Sequence, residues 1–390
     1  MPDKAYYAAL GLSSILEKVL SGERLSFEDG MALFACPDLT AVGALAAHVR
    51  FRLHGDAAFY VVNRQINYTN VCVNGCLFCA FRRDHADEPG AFVLDKEAIL
   101  ARLAAAQEGS LRLDEMHMVG GCHPTLGLSW FEEVLGAVAD RWPGLPLKAF
   151  TPVEIAHFAA LEGITTMEVL RRLKACGLRM MPGGGAEIFD RDLRARLCPH
   201  KADAEAWLRI SGEAHSLGIL TNCTMLFGHF ESHAMRVEHL LRLRDQQDAS
   251  GGFTCFIPLP FLTENSRLTL PEDRTSPVRG LDQLRTVAVA RLLLDNIPHI
   301  KAYWVMLGPK LAQTALWYGA DDLDGTIVEE RIGHMAGAPS AQGLTIAELE
   351  SMIRASGFRP VRRNAVFEAM PDVEAPSARD GADAPCEETC

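Results

Sequence analysis

Cys72-Val73-Asn74-Gly75-Cys76-Leu77-Phe78-Cys79 decides how the rest of this chain is read. The spacing is C-x3-C-x2-C, with no obvious fourth ligand. Three thiolates can hold three irons of a [4Fe–4S] cube and leave the fourth iron open to a small molecule. A cluster closed by four cysteines mainly carries electrons. The competing readings are weaker. A zinc site usually pairs two knuckles, and none follows Cys79 at zinc-ribbon spacing, although His85 would complete a tetrahedral set. A ferredoxin pattern brings a local fourth cysteine. Three structural thiols at this spacing would be a coincidence. The remaining cysteines, Cys36, Cys122, Cys176, Cys198, Cys223, Cys255, Cys386 and Cys390, stand singly. Single cysteines in apolar runs mostly pack cores. Only Cys122, beside Gly120-Gly121, is expected near the site.

A strand-like stretch over 60–68 runs straight into the cysteine loop. After the loop, short apolar runs at 115–119, 147–150, 179–181, 220–227, 253–259 and 301–307 alternate with helical patterns at 94–107, 130–141, 166–176, 204–217, 233–246 and 281–294. Such alternation predicts parallel strands with crossover helices. Seven strands, or eight with residues near Asp321, make the expected fold α/β, a partial or complete TIM-like (β/α) barrel over 56–330. Reactive groups of such barrels lie on loops at the strand C-terminal ends, so the cluster is expected to cap the mouth. Helices are expected at 10–20, 26–34 and 38–53, forming an N-terminal extension over 1–55. A C-terminal helical extension is expected over 331–370. The tail, 371–390, is rich in Pro, Ala, Asp and Glu and reads as disordered, with Cys386 and Cys390 exposed.

A chain of 390 residues with 48% hydrophobic content can bury a large core. The net charge of −12, from 38 basic and 50 acidic residues, argues against a nucleic-acid partner. No apolar stretch reaches transmembrane length, and residues 1–5 lack a secretory pattern, so no membrane association is expected. Eleven cysteines without an export signal point to a reducing cytoplasm.

The expected strand ends carry the candidate chemistry. Gly120-Gly121 closes the second strand, where glycine lets backbone approach a ligand closely. Lys148 and Glu154 flank the end of the third. Pro182-Gly183-Gly184-Gly185-Ala186-Glu187 follows the fourth; a triple glycine weakens a packed strand but suits a backbone lying on a flat ligand or cradling an anion. On the fifth, Asn222 and Thr224 alternate to one face. Lys301 opens the seventh. The acidic run from Asp321 to Glu330 lacks EF-hand spacing and is not a calcium loop.

The cysteine spacing, with Phe78 before the last cysteine, resembles the radical S-adenosylmethionine (SAM) superfamily. Thr224-Met225-Leu226-Phe227-Gly228-His229-Phe230-Glu231 is similar to its fifth-strand G-x-I-x-G-x-x-E element, with Thr224 in place of the first Gly. Asn67-Tyr68-Thr69-Asn70-Val71-Cys72, Gly120-Gly121-Cys122-His123-Pro124, Lys148-Ala149-Phe150-Thr151, the Pro182–Glu187 block and Asp321-Asp322-Leu323-Asp324-Gly325-Thr326 look like a subgroup of menaquinone and deazaflavin biosynthesis. Its members include aminofutalosine synthases, the dehypoxanthine futalosine cyclases and the FO synthase subunits. The fourth- and fifth-strand blocks are most similar to the aminofutalosine synthase family. The likeness spans roughly 15–370.

The resemblance implies that Cys72, Cys76 and Cys79 ligate a [4Fe–4S] cluster whose open iron chelates SAM. Phe78, Gly120, Gly121, Glu187 and Glu231 are its implied SAM-binding residues. Where the superfamily has Gly-Gly-Glu this chain has Gly120-Gly121-Cys122, so backbone groups must serve. The implied reaction adds the 5′-deoxyadenosyl radical to the vinyl carbon of 3-[(1-carboxyvinyl)oxy]benzoate. Aryl migration from oxygen to carbon and loss of the carboxyl group then give 6-amino-6-deoxyfutalosine. A substrate with two carboxylates calls for cationic or N–H donors. His123, Lys148, Asn222 and Thr224 are the catalytic candidates, with Lys301 and Arg64 beside them. A reduced ferredoxin or flavodoxin-type donor is the implied partner. The alternatives are a hydrogen-abstracting cyclase or FO synthase-type enzyme of the same subgroup and, from a different class, a zinc-stabilised barrel without catalysis.

Overall fold

Two parallel sheets organise the computed structural model, which describes residues 3–107, 112–270 and 280–370. Among these residues the strands are β1 (Ala57–Val61), β2 (Asn63–Ile66), β3 (Glu115–Met118), β4 (Leu147–Ala149), β5 (Leu178–Met181), β6 (Leu220–Phe227), β7 (Phe253–Pro260), β8 (His299–Ile300), β9 (Asp322–Gly325) and β10 (Arg359–Arg363). The larger sheet takes β2 to β8 in sequence order, every pair parallel. Crossover helices, among them Leu128–Arg141, Ala204–Ser216, His233–Ser250 and Gly280–Leu293, cover its outer face. The product is a curled half-barrel of α/β type. Strands buried on both faces read as unbroken apolar runs, and β6 is buried from Thr221 to Phe227.

The smaller sheet has the order β10-β1-β9, also parallel. Single parallel bridges, Lys301 to Asp322 and Arg64 to Val328, tie it to both open edges of the half-barrel. The strand expected over 60–68 is therefore two strands in two sheets. The break falls at Val62, whose N–H leaves the ladder and donates to Asp114 Oδ2 at 3.0 Å. The strand expected at 301–307 also changes: β8 stops at Ile300, and Trp304–Leu307 is one helical turn. Trp304 and Val305 are fully buried there, and a short buried apolar run looks the same as strand or helix. The 331–370 stretch holds the helix Ile346–Ala355 and then β10, which pairs along β1.

Local chemistry sets the helix starts. Asp38 caps Leu39–His54 by accepting from Ala41 N at 3.0 Å, and Ser26 with Asp29 makes a capping box before Phe27–Ala35. No helix among the described residues is long and apolar enough to cross a membrane. The tail 371–390, with Cys386 and Cys390, lies outside the described residues.

Candidate active site

The C-terminal ends of the barrel strands open into a cavity of about 320 Å3. Cys72, Cys76 and Cys79 all line it, and none is in a disulfide. Backbone bonds hold the loop on three sides. Cys72 N donates to Arg83 O at 2.9 Å, Val73 N to Cys122 O at 3.0 Å, and Leu77 N to Leu197 O at 2.9 Å. A Cβ on Gly121 would sit 2.3 Å from Val71 O, so only glycine lets the end of β3 lie against the loop. A hydrogen bond with Cys122 lowers the Cys72 thiol to about 6, close to thiolate at neutral pH. Three soft sulfur donors facing one cavity fit a [4Fe–4S] cluster with one iron turned towards a ligand.

The wall next to this loop is mostly backbone. Gly120 N donates to Glu154 Oε1 at 3.1 Å. The same carboxylate accepts from Tyr68 Oη at 2.7 Å and from Thr151 N at 2.7 Å, and burial pushes it up to about 6. Glu154 thus holds the strand end where the superfamily element has its own Glu. Gly183 to Gly185 line the next stretch. A Cβ would come within 2.5 Å of Asn222 O at Gly183 and within 2.3 Å of Val153 Cγ2 at Gly185. Glu187 follows at φ +49° and accepts from Lys201 Nζ at 2.6 Å. Lys201 lies 5.4 Å from the Phe78 ring.

Asn222 and Thr224 both point into the cavity from β6. Thr224 Oγ1 donates to Gly183 O at 2.7 Å and spends its proton on the glycine strand end. Asn222 Nδ2 donates to Thr254 Oγ1 at 3.0 Å, and Thr254 donates onward to Thr221 O at 3.3 Å, which fixes the amide orientation. Its Oδ1 is buried without a hydrogen-bond partner.

The cavity also reaches a buried charge network. Lys148 Nζ lies 3.5 Å from Glu115, and Lys301 Nζ lies 2.9 Å from Asp324 and 3.9 Å from Asp322. Arg363 pairs with Asp322 behind them. Burial would raise Glu115, but Lys148, His117 and Arg363 outweigh it and hold the carboxyl at about 2. Burial keeps His117, which lines the cavity, neutral by pushing it down to about 3.

The structure brings Cys72, Cys76, Phe78, Cys79, Gly120, Gly121, Lys148, Glu187, Asn222, Thr224 and Lys301 to one cavity. It places three candidates elsewhere. His123 does not line the cavity; its Nδ1 accepts from Thr125 N and Leu126 N at 3.2 Å each, shaping the turn after Cys122. Glu231 is buried off the cavity, accepting from Gly228 N at 2.6 Å, His229 N at 2.9 Å and Arg236 at 2.7 Å. Arg64 pairs with Glu329 at 2.9 Å on the flank. Lys201 and Tyr303 line the cavity without any local sequence signal, and Asp324 and Glu330 lay in the acidic run set aside as a non-calcium loop.

Comparison with known proteins agrees with this geometry. The radical SAM superfamily profile matches residues 66–243, and the CofH/MqnC C-terminal region profile matches 250–375. An aminodeoxyfutalosine synthase of Thermus thermophilus is 44% identical over 91% of this chain and 95% of its own length. A 5-amino-6-(D-ribitylamino)uracil–L-tyrosine 4-hydroxyphenyl transferase of Methanopyrus kandleri is 42% identical, covering 83% and 87%. The crystal structure of methylornithine synthase superposes with a TM-score of 0.71 at 18% identity, covering 89% of this chain and 97% of that one, a likeness of fold.

Proposed function

The chain belongs to the radical SAM superfamily, in the branch of the aminodeoxyfutalosine synthases and their relatives with the CofH/MqnC C-terminal region, and on that premise we propose that it joins the 5′-deoxyadenosyl group of SAM to 3-[(1-carboxyvinyl)oxy]benzoate. The observation that carries the reading is one cavity with two unlike linings, glycines with the three cysteines and the lysines Lys148 and Lys301. The first suits adenosine and the second suits an anionic aromatic partner.

Cys72, Cys76 and Cys79 would hold the [4Fe–4S] cluster, which when bound would supply the one-electron reduction that cleaves SAM. The chain's own residues do the positioning. Gly120, Gly121 and Gly183 to Gly185 let the adenosyl group lie against backbone. Asn222 Oδ1, lacking a partner, accepts from a ribose hydroxyl or the adenine amino group. Lys148, held only loosely by Glu115, and Lys301 offer ammonium protons to a carboxylate of the second substrate. Leu226, Ile257, Leu259 and Phe261 line the cavity and keep water from the radical. A bond forms from C5′ to the vinyl CH2, the aryl group moves from oxygen to the adjacent carbon, and the odd electron departs with the carboxyl group, leaving the ketone 6-amino-6-deoxyfutalosine. Reduction by a ferredoxin or flavodoxin-type protein in the cytoplasm completes the reading.

The test is mass spectrometry after incubating the anaerobically reduced enzyme with SAM and the enolpyruvyl ether. The expected result is 6-amino-6-deoxyfutalosine with equimolar methionine. Release of 5′-deoxyadenosine carrying a substrate hydrogen, with no adenosyl adduct, contradicts the assignment.

A further inference from the structure

Three polar side chains stand in one row low in the cavity with their donors unused. Gln65 on β2 pairs in register with His117 on β3, and His117 with Lys148 on β4. All three line the cavity. Neighbouring strands lie about 4.8 Å apart, so the row spans roughly 10 Å. Gln65 and Lys148 are buried, at 6% and 2% exposure. Among the described residues the Gln65 amide, the His117 ring and the Lys148 ammonium make no hydrogen bond; Glu115 Oε1 stands 3.5 Å from Lys148 Nζ and 4.0 Å from His117 Nδ1. Glu115, two residues deeper on β3, is fully buried and closes the floor beneath them. Buried donors are rarely left unpaired, an ammonium least of all. An amide, a neutral imidazole and an ammonium set side by side suit a ligand that brings acceptor oxygens, and a carboxylate brings two.

The depth of the row says which carboxylate. Gly120 and Gly121 sit against the cysteine loop, where a Cβ on Gly121 would meet Val71 O. His117 comes three residues before Gly120, about 10 Å lower at the rise of a strand. The vinyl carbon must meet C5′ at the upper level, and the enolpyruvyl carboxylate is joined to that vinyl group. The ring carboxylate is at the far end of the molecule. We propose that Gln65 and His117, in register with Lys148, bind the ring carboxylate of the acceptor and so determine which ether the enzyme accepts. This assignment rests on the proposed function and extends it to two residues that sequence reading passed over. An ether without the ring carboxylate would leave the buried donors unpaired, which is how a polar subsite rejects a truncated ligand.

The test is calorimetry on the oxidised, SAM-loaded holoenzyme, which binds the acceptor without turning it over. Two ligands are compared, 3-[(1-carboxyvinyl)oxy]benzoate and α-phenoxyacrylate, which lacks the ring carboxylate. Gln65→Leu and His117→Leu should each weaken binding of the first about 10- to 100-fold, the worth of a hydrogen bond to a charged group. Binding of α-phenoxyacrylate and of SAM should stay as in the wild type. Gln65→Glu, close to isosteric, should lose at least as much as Gln65→Leu, because it sets a like charge against the carboxylate. His117→Gln, which keeps a donor, should recover part of the loss. Equal weakening of both ethers overturns the proposal, since the row would then serve the enolpyruvyl end or the shape of the cavity. Unchanged binding of the benzoate in Gln65→Glu and His117→Gln overturns it as well, even if the leucine variants do not fold. A wild-type enzyme that binds SAM and neither ether would instead defeat the proposed function, and this assignment with it.

Discussion

The two walls of the cavity are built on opposite principles. Beside the cysteine loop the surface is backbone, kept bare by glycines whose Cβ atoms would strike Val71 O, Asn222 O or Val153. Elsewhere the surface is charge, with Lys148, Lys301 and Asp324 lining it and Glu115, Asp322 and Arg363 paired behind them. A bare wall recognises a ligand by shape and tolerates little intrusion. A charged wall recognises by polarity and discriminates strongly, because buried polar groups left unpaired are costly. The glycines, Lys148 and Glu115 lie within the superfamily match at 66–243, whereas Lys301, Asp322, Asp324 and Arg363 lie within 250–375, so both stretches contribute to the charged group.

The hardest way to break this comparison is to remove what both walls serve. Cys76→Ala should drop iron from about four per chain to near none and abolish turnover, measured by anaerobic absorption and metal analysis. Separating the walls comes next. Lys301→Met should raise KM for the enolpyruvyl ether about 10- to 100-fold while leaving KM for SAM nearly unchanged. It should also cost about 3–5 kcal/mol of stability, because Asp324 is left buried and unpaired. Gly183→Ala should do the reverse: weaker SAM binding by calorimetry, an unchanged demand for the second substrate, and a packing cost of about 1–3 kcal/mol.

The smallest effect sharpens the comparison through two buried histidines. His117 belongs to the charged wall, and His239 donates Nε2–H to Thr224 O at 2.9 Å behind the glycine wall. Burial lowers both to about 3, so the folded chain keeps them neutral while the unfolded chain protonates them near 6.5. Their contribution to stability is complete above 6.5 and is lost as pH falls towards 3. At pH 5 the loss is about 2 kcal/mol for each. Urea unfolding at pH 7 and pH 5 should show it, and His117→Gln should reduce the difference by about 2 kcal/mol.

Legibility in the sequence followed the physics of each element. The alternation that predicts a β/α barrel was plain because interior parallel strands are continuous apolar runs, and β6 matches its expected limits at both ends. The break at Val62 was not, because it depends on a carboxylate at Asp114, far along the chain. Glycine runs pointed to one wall because a triple glycine has no packing use. Lys201 and Tyr303 gave no signal, since the fold alone carries them to the cavity. His123 and Glu231 show the converse. A polar residue beside a glycine turn looks like a ligand in sequence, but the direction of the chain after Cys122 and after Gly228 spends both on backbone N–H groups.

The central claim is that one cavity holds adenosyl group and acceptor together, so that the radical is kept in the product. Its most direct test follows label from SAM enriched at C5′ through a single turnover. The account predicts that the label ends in the ketone, in step with methionine. Label recovered mainly as 5′-deoxyadenosine, with the second substrate bound, would contradict it.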